Sequence, residues 1–151
     1  MPKLDKKELA KRGEDLAAKI LAEKGYEIIE RNYRFSHGEI DIIAIDPKNK
    51  FTVFVEVKSR QNLEFGEPEY AITKNKQKQV RKMAELYLYD KEITEIDCRF
   101  DVFAILFEDL DNPVVNHYEN AFWFFGDFWK IRYVIPVKTG IHYFKGRFLL
   151  S

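Results

Sequence analysis

Asp41, Glu56 and Lys58 are the residues of this chain whose types and spacing suit hydrolytic chemistry. They lie within residues 38–60, GEIDIIAIDPKNKFTVFVEVKSR, which read as two strands, 39–46 and 51–58, about a turn of Pro47, Lys48, Asn49 and Lys50. With Asp46 facing Phe51 across that turn, antiparallel register sets Asp41 opposite Glu56 and Glu39 opposite Lys58. Facing side chains share one side of a sheet with Cβ atoms about 5 Å apart. Lys58 returns to that side two residues after Glu56. Opposed like charges destabilise a strand pair, and a divalent cation between them removes the conflict. Mg²⁺, or Mn²⁺ in its place, takes oxygen ligands: one or two carboxylates, waters and phosphate oxygens. A neighbouring lysine then orients water or offsets charge at phosphorus. That chemistry is metal-assisted hydrolysis of a phosphodiester, with Asp41 and Glu56 as ligands and Lys58 as the catalytic cation. E-x-K also occurs on ordinary solvated strands. Here Val53, Val55 and Val57 make the opposite side apolar, which places the strand in a core sheet.

The elements that must position these residues follow from the flanks. Residues 5–24 read as a helix that starts on Asp5 with Glu8 and stops at Gly25, with Leu9, Gly13, Leu16, Ala17, Ile20 and Leu21 on one face. Glu14 borders that face, either as a solvated carboxylate or as a third acid of the site. Residues 26–34 read as a strand in which Ile28 and Ile29 are followed by Arg31, Tyr33 and Arg34; basic groups interleaved with aromatics suit phosphate and base contacts, or a polar edge. His37 has no second His or Cys at ligand spacing and is read as non-ligating. Residues 59–67 read as a loop carrying Arg60. Pro68 suits the first position of a helix over 69–89. Ile72, Val80, Met83, Ala84, Leu86 and Tyr87 share one side of that helix, and Lys74, Lys78, Arg81 and Lys82 the other. A buried strand over 98–107, a turn at 109–113 and a last strand over 114–122 complete an α/β domain with a mixed sheet in the order α-β-β-β-α-β-β.

One domain suits 151 residues with 46 % hydrophobic and 33 % charged content. No apolar run reaches the ~18 residues of a membrane span, and the polar N-terminus does not read as a signal peptide. The lone Cys98 has no internal disulfide partner, which suits a reducing, cytoplasmic compartment. Net charge is zero, but residues 101–128 carry six acids and no base, and residues 129–151 five bases and no acid. The charge total by itself does not argue for a nucleic-acid groove.

The combination resembles the YraN family of small bacterial proteins. The matching pieces are Gly13-Glu14 with Ala17, Gly25, Arg31-Asn32-Tyr33-Arg34, and Gly38-Glu39-Ile40-Asp41-Ile42-Ile43. They continue with Val53-Phe54-Val55-Glu56-Val57-Lys58-Ser59-Arg60, Ala71-Ile72 with Lys74 and Lys76, Arg99-Phe100-Asp101-Val102, and Asn120-Ala121-Phe122. The layout is also similar to the archaeal Holliday-junction resolvases. The resemblance implies a restriction-endonuclease-like, PD-(D/E)XK fold: a mixed central sheet flanked by helices. Carried over, Asp41 and Glu56 hold the metal, Lys58 is catalytic and Glu14 assists. Ile40 stands where that motif often has proline.

Two functions follow from this reading. One is a Mg²⁺-dependent endonuclease acting on DNA, with branched DNA in repair or recombination as the implied substrate. The other is a nucleic-acid-binding or assembly module with a vestigial site. Arg34, Arg60, Lys74, Lys78, Arg81 and Lys82 are the expected nucleic-acid contacts, and binding without cleavage would be carried by Lys74, Lys78, Arg81 and Lys82. The domain is expected to end at residue 122. Residues 123–151 form an aromatic, basic extension without clear periodicity: a hairpin, an arm or an unordered tail. Its Trp123, Phe124, Phe125 and Trp129 would promote self-association, with a homodimer the simplest product.

Overall fold

The computed structural model describes residues 2–64, 66, 72–93, 97–122, 131–137 and 140–148, the last two stretches by their backbone. Helix α1 spans Lys6–Glu23 and begins where Asp5 Oδ1 accepts the Glu8 N–H at 2.8 Å. It ends in a Schellman turn: Gly25, at φ 88°, donates to Ala22 O and Tyr26 donates to Leu21 O, both at 3.0 Å. That turn sends Tyr26 inward and starts the sheet.

Strands β1 (Glu27–Phe35), β2 (Gly38–Ile45) and β3 (Thr52–Arg60) form an antiparallel meander. Helix α2 (Lys74–Asp90) crosses over to β4 (Asp97–Leu106), which lies parallel to β3. β5 (Val114–Tyr118) pairs antiparallel with the second half of β4. Strands β6 (Ile131–Val137) and β7 (Gly140–Phe148) form a hairpin, and β7 meets the first residues of β4 through Asp97–Arg147 and Cys98–Phe148. The expected mixed α/β order holds, and of the three readings of the tail the hairpin is the one observed.

The sheet separates two cores. α1 covers one side, where Ala17 and Leu21 meet Ile42, Val53, Val55 and Phe103. α2 covers the other, where Val80, Met83 and Tyr87 meet Ile43, Phe54 and Phe100. Gly13 lets α1 approach β3, since a Cβ there would overlap Ser59 Oγ. Phe122 closes the α2 side by stacking on Phe100, with ring centroids 5.0 Å apart.

Two expectations need correction, and one strand departs from regular geometry. The second helix starts at Lys74, not at residue 69, because Thr73 caps it: Thr73 Oγ1 accepts the Lys76 N–H at 3.2 Å. Pro68 lies outside the described residues. The strand expected over 114–122 stops at Tyr118, and Asn120, at φ 55°, turns the chain out of that strand. Strict alternation along β2 also fails, since Ile40 joins the α2-side core and Ile42 the α1-side core. The break coincides with Asn32, which at φ 53° reverses the facing of β1, so that Arg31 reaches Asp15 on α1 while Tyr33 reaches Tyr87 on α2.

A buried ionic cluster ties the end of the sheet opposite Lys58. Arg99 donates to Asp101 (Nε–Oδ1 2.9 Å, Nη2–Oδ2 3.1 Å), to Asp46, and to the Tyr26 hydroxyl at 2.7 Å. Asp101 also accepts the Asn120 N–H at 2.9 Å and lies 2.9 Å from His117 Nε2. Burial works against the Asp101 charge, but His117, Arg99 and the Asn120 amide outweigh it and lower its proton affinity. Asp101→Asn leaves Arg99 with one carboxylate in place of two and should destabilise the fold by about 3 kcal/mol in urea melts at neutral pH. The gap should narrow as pH falls through the lowered Asp101 value, where the wild type loses that contribution. A second expectation concerns the tail: both described cores are assembled from residues up to Phe122, so a chain ending there should keep one cooperative transition. Loss of cooperativity would show that the β6–β7 hairpin completes a core.

Candidate metal centre and active site

The β2–β3 turn sets the register on which the site depends. Asp46 Oδ1 accepts the Lys48 N–H at 2.7 Å, Asn49 Oδ1 accepts the Phe51 N–H at 3.0 Å, and the Asp46 N–H meets Phe51 O at 3.0 Å. The ladder then runs Ile45–Thr52, Ala44–Val53, Ile43–Phe54 and Ile42–Val55, the expected register. One step beyond its last pair come Asp41 and Glu56. There the Asp41 side chain takes over from the ladder: its Oδ2 accepts the Val57 N–H at 2.7 Å.

Both carboxylates are buried, with Asp41 5 % and Glu56 2 % exposed. Burial first, and the Glu56 charge second, hold the Asp41 carboxyl well above the usual aspartate range, against the pull of the Val57 amide. Glu56 projects toward the α2 side. Its Oε1 is 3.1 Å from Lys58 Nζ and 3.2 Å from Lys76 Nζ. Its Oε2 is buried without a hydrogen-bond partner. Two carboxylates with one bare, buried oxygen fit a hard divalent cation that completes its shell with water or phosphate oxygens. Among the described residues no three acid, His or Cys side chains are gathered closely enough to hold an ion.

Glu14 stands off from this pair. It lines an open groove of about 660 Å³ with Arg31, Asn32, Arg34 and Glu39. Partial burial, and then the Glu39 charge, raise its proton affinity. Glu14 also adds to the negative field at Asp41. A second groove, about 380 Å³, opens between the β1–β2 turn and α2, lined by Arg34, His37, Lys76 and Gln79.

The expected nucleic-acid residues are only partly brought together. Arg34 touches both grooves and pairs with Glu39 at 3.2 Å. Arg60 is half-buried at the end of β3. Lys74, Lys78 and Lys82 are exposed along α2, whereas Arg81 is half-buried and departs from that stripe. At 3.6 residues per turn the three lysines point away from Lys76. The helix therefore meets Glu56 with Lys76, which the sequence reading matched to the family but left out of the expected site residues. A signal for it existed: no acid occupies the first turn of α2, and lysines stand where the helix dipole favours carboxylates.

A mixed sheet between two helices, with an acid pair and a lysine where β2 and β3 part, defines a protein of the restriction-endonuclease-like fold. Residues 13–105 match the family described as "Uncharacterised protein family UPF0102". A "UPF0102 protein" of Chlorobium limicola is 48 % identical over 124 residues, 79 % of this chain and 95 % of the relative. One from Pelobacter propionicus is 42 % identical over 118 residues, covering 78 % and 84 %. One from Nocardia farcinica is 41 % identical over 118 residues, covering 78 % and 91 %. The chain belongs to the UPF0102 family, in agreement with the YraN resemblance. Among the described residues no helix is long and apolar enough to cross a membrane.

The Asp41 environment has a sign that can be measured. The folded state keeps the Asp41 proton to higher pH than the unfolded chain does. Metal-free stability from this group is therefore full below the unfolded value and falls as pH rises toward the folded one. Asp41→Asn keeps an acceptor for the Val57 amide and removes the charge. In EDTA at neutral pH it should be more stable than wild type, by about 1.4 kcal/mol for each tenfold rise in proton affinity that it removes. Urea melts at pH 5 and pH 8 check this; equal stability at both pH values would refute it.

Proposed function

We propose that this protein is a divalent-cation-dependent nuclease that hydrolyses phosphodiester bonds in DNA. The observation that carries the reading is Glu56: a buried carboxylate beside Asp41, with Oε2 unpartnered and Lys58 on Oε1. Asp41 and Glu56 would hold Mg²⁺ or Mn²⁺, which supplies Lewis-acid charge for phosphate oxygens and water. Lys58, tethered to Glu56, would donate a hydrogen bond to the attacking water and hold it on line with phosphorus. The water gives up a proton to solvent as its oxygen forms the new P–O bond, one ester P–O bond breaks, and the leaving oxygen takes up a proton from solvent. Glu14 contributes negative field from α1, as an accessory carboxylate. Arg34 lies at both grooves and would bind the flanking backbone, with Arg60 and the α2 lysines outside it. Branched DNA in repair or recombination is the substrate class that the resemblance suggests.

A second reading is a nucleic-acid-binding module with a vestigial site. It is favoured by the two lysines that already neutralise Glu56, and by the exposed stripe of Lys74, Lys78 and Lys82. Nicking of branched, flapped and linear DNA with Mg²⁺ or Mn²⁺ separates the two. The nuclease reading expects Asp41→Asn and Lys58→Ala to lower cleavage by about 100-fold or more. A wild type inert on every substrate, yet binding DNA in a salt-dependent way, would leave the binding module.

A further inference from the structure

Lys76 has no role in the nuclease reading as stated. It sits in the first turn of α2, on an element separate from the β2–β3 hairpin, with its backbone held by the Thr73 cap. Its ammonium lies 3.2 Å from Glu56 Oε1, the same oxygen that Lys58 meets at 3.1 Å. Asp41 and Glu56 bring two negative charges, and Lys58 and Lys76 two positive ones. With both carboxylates ionised these four groups balance, and Glu14 adds a further negative field at Asp41. A dication added to the four leaves a surplus of two positive charges in a largely buried place, which is costly unless anions enter with it. Lys76 has somewhere to go: its side chain is 26 % exposed and lines the 380 Å³ groove with Arg34, His37 and Gln79. Lys58 reaches Glu56 from two residues along the same strand, so only Lys76 comes to it from a separate element.

We infer that Lys76 is a positioning residue that couples the two ligands: it occupies Glu56 until a backbone phosphate in the adjacent groove draws it away, so that cation and phosphodiester bind together. The inference rests on the metal site proposed above and adds its order of loading. Removing the Lys76 charge relieves the competition for Glu56, and it also removes the group that links the two ligands. Coupling of this kind is reciprocal: DNA must strengthen cation binding by the factor by which the cation strengthens DNA binding.

Free Mn²⁺ measured by electron paramagnetic resonance tests this on the full chain, with and without a short DNA duplex checked for integrity on a gel. Wild type should bind Mn²⁺ weakly alone and more tightly with duplex. Lys76→Met, which keeps the apolar stem, should bind Mn²⁺ alone about tenfold more tightly, about 1.4 kcal/mol, and gain less from duplex. Lys76→Arg should behave as wild type, and Glu56→Gln should lose the binding. A thermal melt of each variant confirms folding. If Lys76→Met binds Mn²⁺ no more tightly than wild type, or gains as much from duplex, the coupling role is wrong while the metal site stands. If no variant binds Mn²⁺ with or without duplex, or Glu56→Gln binds as well as wild type, the metal site fails and the coupling with it.

Discussion

Two carboxylates held against each other inside a strand pair are the constraint around which this structure is arranged. Asp41 and Glu56 stand where the ladder of β2 and β3 gives out, and both are buried. Like charges in such a place cost stability. The local structure compensates with the Val57 amide on Asp41 and two ammonium groups on Glu56. One carboxylate oxygen is still left bare. Stability alone does not call for this arrangement, since an apolar pair at 41 and 56 would pack without the conflict.

The rest of the fold holds this spot from several sides. α1 reaches β3 closely because position 13 has no side chain, and that approach brings Glu14 toward the site. α2 brings Lys76 from the opposite face. The reversal at Asn32 turns the outer end of the hairpin, so that Arg34 and Glu39 lie beside both grooves. At the other end of the sheet, the Arg99 cluster joins β4 and β5 to Tyr26 and Asp46, the residues just before β1 and just after β2, in one set of charge-assisted hydrogen bonds. The two ends use charge differently. Around Arg99 the buried acids are paired and kept ionised, whereas at Asp41 burial and Glu56 favour the proton. Unresolved charge conflict of the second kind marks sites of binding and chemistry more often than structural ones.

Much of this was legible in residue order because it rests on local rules. The Asp5 cap, the Gly25 stop and the β2–β3 register each follow from a few neighbouring residues. The register then places Asp41 beside Glu56 by strand geometry alone. The valines at 53, 55 and 57 assign β3 to a core for the same reason.

What remained was decided by contacts distant in sequence or by conformations that residue type does not announce. Lys76 became the partner of Glu56 only when Thr73 capped α2 and the crossover to β4 laid that first turn over the hairpin. Periodicity sorted the lysines of α2 by face, and it singled out the exposed stripe because nothing in the spacing says which turn lies over a buried acid. The Arg99–Asp101–His117 cluster joins residues of β4 and β5 with Tyr26 and Asp46, and a run of ten residues that is mostly apolar does not name partners so far away. The left-handed turn at Asn32, which breaks alternation in β1 and β2, is open to asparagine but not required by it. Residue order thus determined the hairpin and its opposed carboxylates, because pairing of adjacent strands is local. Tertiary structure decided which cations meet them, because that depends on where a helix from another part of the chain comes to rest.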